Sequence, residues 1–263
     1  MALTGKTPKD TYKDLLYVDN SNTGVDNNVR KIKSGSGSST SLFLSNKNLK
    51  VASAQNNTTA FLVVNQDNTT KFNVDTSNNQ VKALGHHVNT QYAYFGVGSS
   101  DSAVFSANTH TALPFAGMQM GSSLLQDNTQ FGTGTDPATS FTTADGSLTD
   151  ASLLAPVMWY IPDNIAIDSV YSIEGATTAT GDTTRMHLFS YDFTSGSTSA
   201  LTNGTLLAHN SDVTNAGSEQ AYLSTWTVDS SAVSSGKVIL AFFRCDSTNS
   251  DYSINITIKY HLT

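Results

Sequence analysis

Charge is scarce in this chain of 263 residues. Only 14 Lys and Arg and 21 Asp and Glu are present, so 13% of the residues are charged, where an ordinary soluble domain has about 25%. Glu occurs only at Glu174 and Glu219. In place of charge the sequence has 34 Ser, 35 Thr and 22 Asn. These residues favour strands and turns, so the composition argues against a helical bundle and against a helix-rich α/β enzyme.

Cysteine is almost absent. The lone Cys245 excludes an intramolecular disulfide bond and a zinc site built from several cysteines. It closely follows the apolar residues Ala241, Phe242 and Phe243. This setting predicts a buried structural thiol rather than a reactive nucleophile.

Long hydrophobic runs are also missing. No stretch of roughly 18 apolar residues occurs, and charged side chains interrupt the first thirty residues, where a secretion signal would have its apolar core. We therefore expect synthesis in a cytoplasm and no membrane partner. The chain is nevertheless 38% hydrophobic and 9% aromatic, which is enough for a folded core.

The sparse charge is unevenly distributed. Residues 1–50 hold eight Lys and Arg against four Asp, a net +4, whereas residues 51–263 hold six basic and seventeen acidic residues, a net −11. The basic end predicts a segment that docks on another protein. Nucleic-acid binding is a weaker interpretation, because the basic residues are scattered and only Tyr12 and Tyr17 could stack on bases.

The sequence of the N-terminal segment is compatible with two local structures. Thr7 and Pro8 could begin a short helix whose apolar residues Tyr12, Leu15 and Leu16 share one face and seek a partner. Alternatively, residues 15–18 form a strand of the main fold. Residues 34–39 read Ser-Gly-Ser-Gly-Ser-Ser, which is typical of a flexible linker. We therefore assign residues 1–40 to an anchoring segment and linker.

Short strands separated by Asn, Asp and Thr turns follow in residues 41–85. The predicted strands cover residues 42–44, 49–51, 61–64, 71–74 and 80–84. Each offers only two or three apolar residues, so the strands of one chain bury little, and isolated sheets of this size are marginal in water. Three chains around one axis would give these residues a shared core, which predicts a short trimeric β-stem.

The rest of the chain divides into an irregular and a regular region. Residues 86–150 are irregular, and loops of this length either form a partner surface or pack on a neighbouring chain. Residues 151–263 contain seven predicted strands, at 157–161, 165–173, 184–191, 205–209, 220–228, 237–243 and 252–262. This number of strands predicts a jelly-roll-like β-sandwich. The predicted fold class is therefore all-β, with an extended N-terminal anchor, a short trimeric β-stem and a C-terminal β-sandwich.

Motifs for catalysis and cofactor binding are missing. The sequence has no Gly-x-Ser-x-Gly elbow and no phosphate-binding glycine loop before a helix, and its spacing does not pair Glu174 with Glu219 as the two carboxylates of a glycosidase. The adjacent His86 and His87 are poor joint metal ligands, because neighbouring strand residues point to opposite sides. We expect no enzyme activity, no catalytic residue, no cofactor and no metal site.

Several aromatic residues could present their rings to sugars on the surface of the sandwich, although core packing is the favoured role for each. They are Trp159, Tyr160, Tyr171, Tyr222, Trp226 and Tyr252. We assign none of them as a ligand contact.

Two blocks near the N-terminus are distinctive. Residues 5–16 read Gly-Lys-Thr-Pro-Lys-Asp-Thr-Tyr-Lys-Asp-Leu-Leu, and residues 18–25 read Val-Asp-Asn-Ser-Asn-Thr-Gly-Val. They resemble the N-terminal segment of bacteriophage virion appendage proteins, the fibres and head decorations of tailed phages and of marine phages in particular. Further similarity lies in the stem, at residues 42–45 and 72–75, and in C-terminal blocks at residues 158–164, 236–242 and 249–255.

The resemblance implies a structural protein of the virion. It implies a homotrimeric fibre or decoration, fixed to the phage capsid or tail by roughly its first thirty residues, with the sandwich facing outwards. No catalytic residue carries over. The expected anchoring residues are Thr7, Pro8, Tyr12, Leu15, Leu16 and Val18. The alternative is a tail-fibre receptor-binding protein that recognises a host surface glycan; a polysaccharide depolymerase is less favoured, because such fibres usually have a longer β-helical body with paired acids.

Overall fold

The fold is all-β, as the composition predicts. The computed structural model describes residues 13–21, 23–98, 105–116, 131–140, 154–177, 179–197, 201–247 and 251–263, which form twenty strands and a short 3₁₀ helix at Ala155–Val157. The chain divides into two compact units, Met1–Val88 and Asn89–Thr263. We call them the N-terminal unit and the C-terminal unit.

The N-terminal unit contains two four-stranded antiparallel sheets, each with its strands in sequential order. The first sheet consists of β1 (Leu16–Val18), β2 (Arg30–Ser34), β3 (Ser39–Leu44) and β4 (Leu49–Val51). The second sheet consists of β5 (Phe61–Val64), β6 (Thr70–Asp75), β7 (Gln80–Ala83) and β8 (His86–His87). The five strands predicted between residues 42 and 84 are all present, because their apolar residues are bounded by Asn, Asp and Gly turns.

The Ser-Gly run at residues 34–39 forms the turn of a β-hairpin instead of a linker. It connects β2 to β3, and the amide of Gly37 donates a hydrogen bond of 2.8 Å to the carbonyl of Ser34. Gly37 has φ of 85°, a left-handed conformation that glycine adopts without strain. Local turn geometry therefore orders this segment, although its composition is typical of a flexible linker.

The C-terminal unit is a sandwich of two antiparallel sheets. In the five-stranded sheet the order is β16-β12-β20-β9, with β18 also paired to β12. The seven-stranded sheet has the order β10-β19-β13-β14-β17, with β11 paired to β19 and β15 paired to β13. The bounds are β9 Thr90–Val97, β10 Thr111–Ala112, β11 Trp159–Tyr160, β12 Ile165–Thr177, β13 Thr183–Phe193, β14 Leu201–His209, β15 Val213–Thr214, β16 Glu219–Thr225, β17 Thr227–Val228, β18 Ala232–Val233, β19 Lys237–Cys245 and β20 Asp251–Leu262.

The core of the sandwich follows from two patterns in the sequence. Strand β19 is apolar from Val238 to Phe243, and all six of these residues are buried because the strand is central and covered on both faces. On the inner face the Phe243 ring centroid lies 4.8 Å from that of Tyr252 in the opposite sheet. Strand β20 alternates instead, with Ile256 buried and Asn255 exposed, which confirms the predicted two-faced strand.

Three parts of the region 86–150 belong to the sandwich: β9, residues 105–116 with β10 paired to β19, and residues 131–140. Within the predicted irregular β/loop region, Thr90–Val97 is a regular strand that pairs with β20. Residues 131–140 cross the outer face of the seven-stranded sheet: the Tyr191 hydroxyl donates to the Ala138 carbonyl, and the Gly204 amide donates to the Thr139 carbonyl, each at 2.8 Å. Phe131 thereby covers Phe242, with ring centroids 4.9 Å apart. This segment packs on its own chain because β19 needs a cover on that face.

Candidate functional site

The expected anchoring residues lie at the start of the N-terminal unit. Thr7, Pro8 and Tyr12 are outside the described residues. Leu15 and Leu16 are exposed, and Leu16–Val18 forms β1, in which Leu16 pairs with Ser34 of β2. The strand alternative is therefore correct for residues 16–18.

A salt bridge holds this strand in place. The Lys33 ammonium lies 2.6 Å from an Asp19 carboxylate oxygen, and the amide of Asp19 donates to the carbonyl of Lys31 at 2.9 Å. Backbone pairing and a charge pair thus fix β1, while the side chains of Leu15 and Leu16 remain in water. These two leucines are available for contact with a partner.

The N-terminal unit has no apolar core of its own among its described residues. The buried apolar side chains of the described chain begin at Ala93, in the C-terminal unit, and the buried polar side chains of the N-terminal unit are Ser45 and Asp75. By comparison, the sandwich buries 36 hydrophobic residues. The two units therefore have different sources of stability.

Polar turns supply much of the order in the N-terminal unit. The Asp75 carboxylate accepts hydrogen bonds from the amides of Ser77 and Asn78, both at 2.9 Å, and from the Asn78 side chain at 2.7 Å. These bonds hold the pKa of Asp75 below its ordinary value, with the Asn78 side chain as the largest cause. The Ser45 hydroxyl caps the β3–β4 turn in the same way, accepting from the Asn48 amide at 2.9 Å.

Many apolar side chains of the two small sheets remain exposed, and others, such as Phe72 and Val74, are only half-buried. Eight of them between residues 42 and 84 are 37% to 70% exposed: Leu42, Leu49, Val51, Phe61, Leu62, Val63, Val64 and Leu84. A cleft of about 540 Å³ lies beside several of them, with Leu49, Val51, Phe61 and Val74 in its wall. Together the eight residues leave on the order of 600 Å² of surface in water. We call this set the stem apolar surface.

Strand β5 exposes apolar residues on both of its faces. Because strand residues alternate between faces, Phe61 and Val63 lie on one side and Leu62 on the other, yet all three are 43% exposed. A single flat partner can cover only one of these faces. Both faces of β5 therefore have to be contacted if all of its apolar side chains are to be buried.

The two glutamates of the chain are on opposite faces of the five-stranded sheet. Glu174 is buried between the sheets, where both carboxylate oxygens accept from the Thr184 hydroxyl at 2.9 and 3.0 Å. Glu219 is exposed at the start of β16. Burial raises the pKa of Glu174 to about 7; the hydrogen bond from Thr184 lowers it, and the nearby charge of Asp182 raises it. The pair does not have the arrangement of two carboxylates across a sugar bond.

A polar cleft of about 450 Å³ lies beside strand β13. Arg185 binds Asp212 in it through two hydrogen bonds of 2.5 and 2.8 Å, and Nε2 of His187 is 3.3 Å from Oδ1 of Asp136. Burial lowers the pKa of His187 to about 3, so its imidazole is neutral. Among the described residues of the C-terminal unit, no three His, Cys, Asp or Glu side chains bring ligand atoms within 4.8 Å of one another. The cleft is therefore polar without being a preassembled metal centre.

The aromatic residues considered as sugar platforms divide into two groups. Trp159, Trp226 and Tyr252 are buried, which confirms their role in the core. Tyr160 and Tyr171 are exposed. Tyr222 is half-buried.

Sequence reasoning missed two further exposed tyrosines. Tyr92 and Tyr94 lie on the same face of β9, which is the face opposite to buried Ala93 and Phe95. The signal for them was available, since the alternation of large polar aromatic residues with buried apolar ones is typical of a half-buried strand.

Comparison with known proteins assigns no family, because no family model and no curated protein matches this chain. Within the described ranges, the protein has no helix with the length and apolar character of a membrane span. A function for this chain therefore has to be argued from its own residues and geometry.

Proposed function

We propose that this chain is a structural component of a tailed-phage virion, a homotrimeric fibre or head-decoration protein. Its N-terminal segment attaches it to a capsid or tail protein, and its β-sandwich faces outwards. The observation that carries the proposal is the N-terminal unit, in which no described large apolar side chain is fully buried and the eight of the stem apolar surface are exposed in the single chain.

Association with further copies is the simplest way to bury the stem apolar surface. At about 25 cal/mol per Å², covering on the order of 600 Å² contributes roughly 15 kcal/mol per chain before entropy losses. This area is smaller than the roughly 800 Å² per partner of a stable protein interface, so other residues of the N-terminal unit have to contribute to the contact. A unit without a core that presents such a surface is typical of a protein that folds together with its partners.

The exposure of both faces of β5 favours three copies over two. In a two-fold dimer one surface of each chain meets the same surface of the other, which leaves either the Phe61 side or the Leu62 side in water. In a closed ring of three, each chain meets two neighbours, so both sides are covered. The trimer thus accounts for apolar residues at consecutive positions of a strand.

The charge distribution supports attachment through the N-terminal end. Residues 1–50 carry a net +4 and the remainder a net −11, so an acidic surface on the particle would attract this end and repel the other. Exposed Leu15 and Leu16 supply apolar contacts beside that charge.

The molar mass in solution tests the association. Three chains of 28.0 kDa give about 84 kDa, to be measured by light scattering coupled to size exclusion. Leu62→Asp places a charge in the proposed interface and should shift the mass towards 28.0 kDa. Phe193→Asp, at an exposed apolar position at the end of β13, is the matched control and should leave the mass unchanged. A monomeric wild type at micromolar concentration would contradict the trimer.

Incorporation into particles tests the attachment. Deleting residues 2–14 leaves β1 intact, since that strand begins at Leu16. The truncated protein should keep its trimeric mass and its melting temperature, yet be missing from purified particles. Normal incorporation of this variant would contradict a requirement for residues 2–14 in anchoring.

The alternative role as a tail-fibre receptor-binding protein uses the same architecture. It differs in requiring the sandwich to contact a host surface glycan. Purified protein should then compete with the phage for adsorption to host cells, whereas a decoration protein should leave adsorption unchanged.

A further inference from the structure

The outer face of the five-stranded sheet in the sandwich is rich in exposed apolar and aromatic side chains. Five of them are 39% to 74% exposed: Tyr92, Tyr94, Tyr171, Ile173 and Leu223. Soluble proteins rarely leave a contiguous patch of this kind without a binding role. We call these five residues and the groove beside them the tyrosine face.

The register of the strands places three tyrosines in a fixed pattern. Tyr171 of β12 and Tyr94 of β9 each pair with Thr257 of the intervening strand β20, so they are about 10 Å apart at the usual strand spacing. Tyr92 lies two residues before Tyr94, about 7 Å along the same strand. The rings thus form a rigid L-shaped set around a hydroxyl-bearing threonine.

A groove of about 600 Å³ lies beside one of these rings, that of Tyr94. Its floor includes Gly175, which pairs with Ala221 on one side and Ser253 on the other. A groove of this size is within the range of ligand sites for small molecules. Tyr94 and Ile173 line the same groove.

Gly175 is not required by the backbone of its strand. Its φ is not left-handed, and a Cβ built there would lie 3.8 Å from the Ser253 Cβ, an ordinary contact. Glycine in a strand costs about 0.5–1 kcal/mol relative to alanine, and it often marks a place where a ligand comes close to the backbone. Neither the backbone conformation nor the packing of the fold therefore requires glycine at position 175, where its lack of a side chain leaves the floor of the groove open.

The area of the tyrosine face is small for a second protein. From the exposed fractions, the five side chains present on the order of 500 Å², against roughly 800 Å² per partner in a stable protein interface. Part of that area is the polar rim of three tyrosines. The same area is large enough for a chain of a few sugar rings, whose apolar faces stack on aromatic rings.

The groups around the face indicate the charge of the ligand. Asn255 and Thr257 lie between the aromatic residues and offer an amide and a hydroxyl. Asp251 and Glu219 both pair with Thr177 at one end of the face, and Lys259 pairs with Tyr92 at the other. With two carboxylates against one ammonium, and a formal net charge of −7 on the chain, an acidic ligand is disfavoured.

We propose that the tyrosine face binds a neutral oligosaccharide, with sugar rings stacked on Tyr94 and Tyr171 and a further ring in the groove above Gly175. The hydroxyl groups of the sugar exchange hydrogen bonds with Asn255 and Thr257. The site gives a chemical class and a location to the glycan that the alternative role requires. It does not depend on the chain being a virion protein or a trimer.

Titration of the full-length protein with oligosaccharides tests the proposal. The probes are cellohexaose, maltohexaose, laminarihexaose and chitohexaose, with hexagalacturonate as the acidic comparison, each followed calorimetrically up to millimolar concentration. At least one neutral probe should bind, and the acidic probe should bind at least tenfold more weakly. Failure of all four neutral probes to bind would overturn the proposal.

Three variants locate the site. Tyr94→Ala and Tyr171→Ala should each weaken binding at least tenfold, because each removes a stacking ring. Gly175→Val should weaken it as much by filling the groove, while a β-branched residue suits the strand. Tyr160→Ala, at an exposed tyrosine of the other sheet, is the matched control and should bind like the wild type.

The melting temperature and molar mass of each variant separate the explanations. Binding that survives in the Tyr94→Ala and Tyr171→Ala double variant would overturn the assignment to this face. A change of molar mass in these variants, without sugar binding by the wild type, would show that the face joins copies of the chain and would also overturn it. A monomeric protein that still binds the sugar would contradict the trimer and leave this site standing.

Discussion

Glu174 makes the stability of the sandwich depend on pH near neutrality. It lies on β12 and is 1% exposed, with the Thr184 hydroxyl of the opposite sheet as its hydrogen-bond donor. Asp182 and Tyr252 are the other titratable groups that interact with it, and burial is the largest cause of its raised pKa of about 7. Replacing Glu174 with Gln keeps the size of the side chain and removes its ionisation.

The size of the effect follows from the two pKa values. The carboxyl titrates at 4.5 when it is unperturbed and at about 7 in the fold. The folded state therefore binds the proton more tightly, so stability from this group is fully present below pH 4.5 and is lost as pH rises to 7. At about 1.36 kcal/mol per unit of pKa, the loss is on the order of 3 kcal/mol.

Glu174→Gln should remove this loss. At pH 8 the variant should be more stable than the wild type by about 2–3 kcal/mol, since some of the gain is offset by an amide nitrogen without an acceptor. At pH 4.5 the two proteins should be equally stable within about 1 kcal/mol. For a unit of this size the difference at pH 8 corresponds to roughly 4–12 °C in melting temperature.

Urea unfolding measured between pH 4.5 and 8 at one protein concentration is the assay. Trp159 and Trp226 are both buried in the sandwich and report its unfolding by fluorescence. The pKa values of His110 and His187 are lowered by burial, so these histidines add stability above pH 6.5 that is lost as pH falls. They contribute equally to both proteins and cancel in the difference.

Glu219→Gln is the matched control, because Glu219 is the other glutamate of the chain and is exposed on the neighbouring strand. It should change stability by less than about 0.5 kcal/mol at every pH. A Glu174→Gln difference that is the same at pH 5 as at pH 8 would refute the raised pKa. A loss of stability at pH 8 would refute the burial argument as a whole.

Three further predictions concern packing in the sandwich. Gly204→Ala should lower stability by about 2 kcal/mol, because its Cβ would lie 2.6 Å from the Tyr191 ring; a melting temperature equal to that of the wild type would contradict this. Phe242→Ala should cost about 3–5 kcal/mol in urea unfolding, and a loss below 1 kcal/mol would show that residues 131–140 do not cover it. Cys245, whose pKa burial raises to about 12, should react with a thiol reagent only on unfolding, and rapid labelling of the native protein would contradict its burial.

Strand positions were predictable because short-range patterns determine them. The alternation of Ile254, Ile256 and Ile258 with polar residues predicts β20, and the apolar run of β19 predicts a central strand; both are confirmed. In these segments the side-chain period of the strand is visible in the sequence. In the N-terminal unit, turns rich in Asn and Gly mark where the strands begin and end, and this signal is also visible in the sequence.

Pairing between distant strands was not predictable from these patterns. Tyr94 and Tyr171 share a face only because β20 lies between their strands, and no local signal specifies that order. Residues 131–140 have little apolar periodicity, yet they are ordered by hydrogen bonds to Tyr191 and Gly204 in other strands. Tertiary partners, rather than local preference, decide the structure at such positions.

The low charge lies mainly in the C-terminal unit, because residues 89–263 hold 19 of the 35 charged residues whereas the 88 residues of the N-terminal unit hold 16. Strands that are buried on both faces, such as β19 from Val238 to Phe243, cannot carry unpaired charges, since a buried unpaired charge costs several kcal/mol. In the first sheet of the N-terminal unit two charges of the inner strand β2 are paired, Lys33 with Asp19 and Arg30 with Asp26. In the proposed trimer the stability of the N-terminal unit depends on the concentration of chains, whereas the sandwich has its core within one chain. An unbound copy would therefore keep its sandwich while its stem loses the contacts that stabilise it.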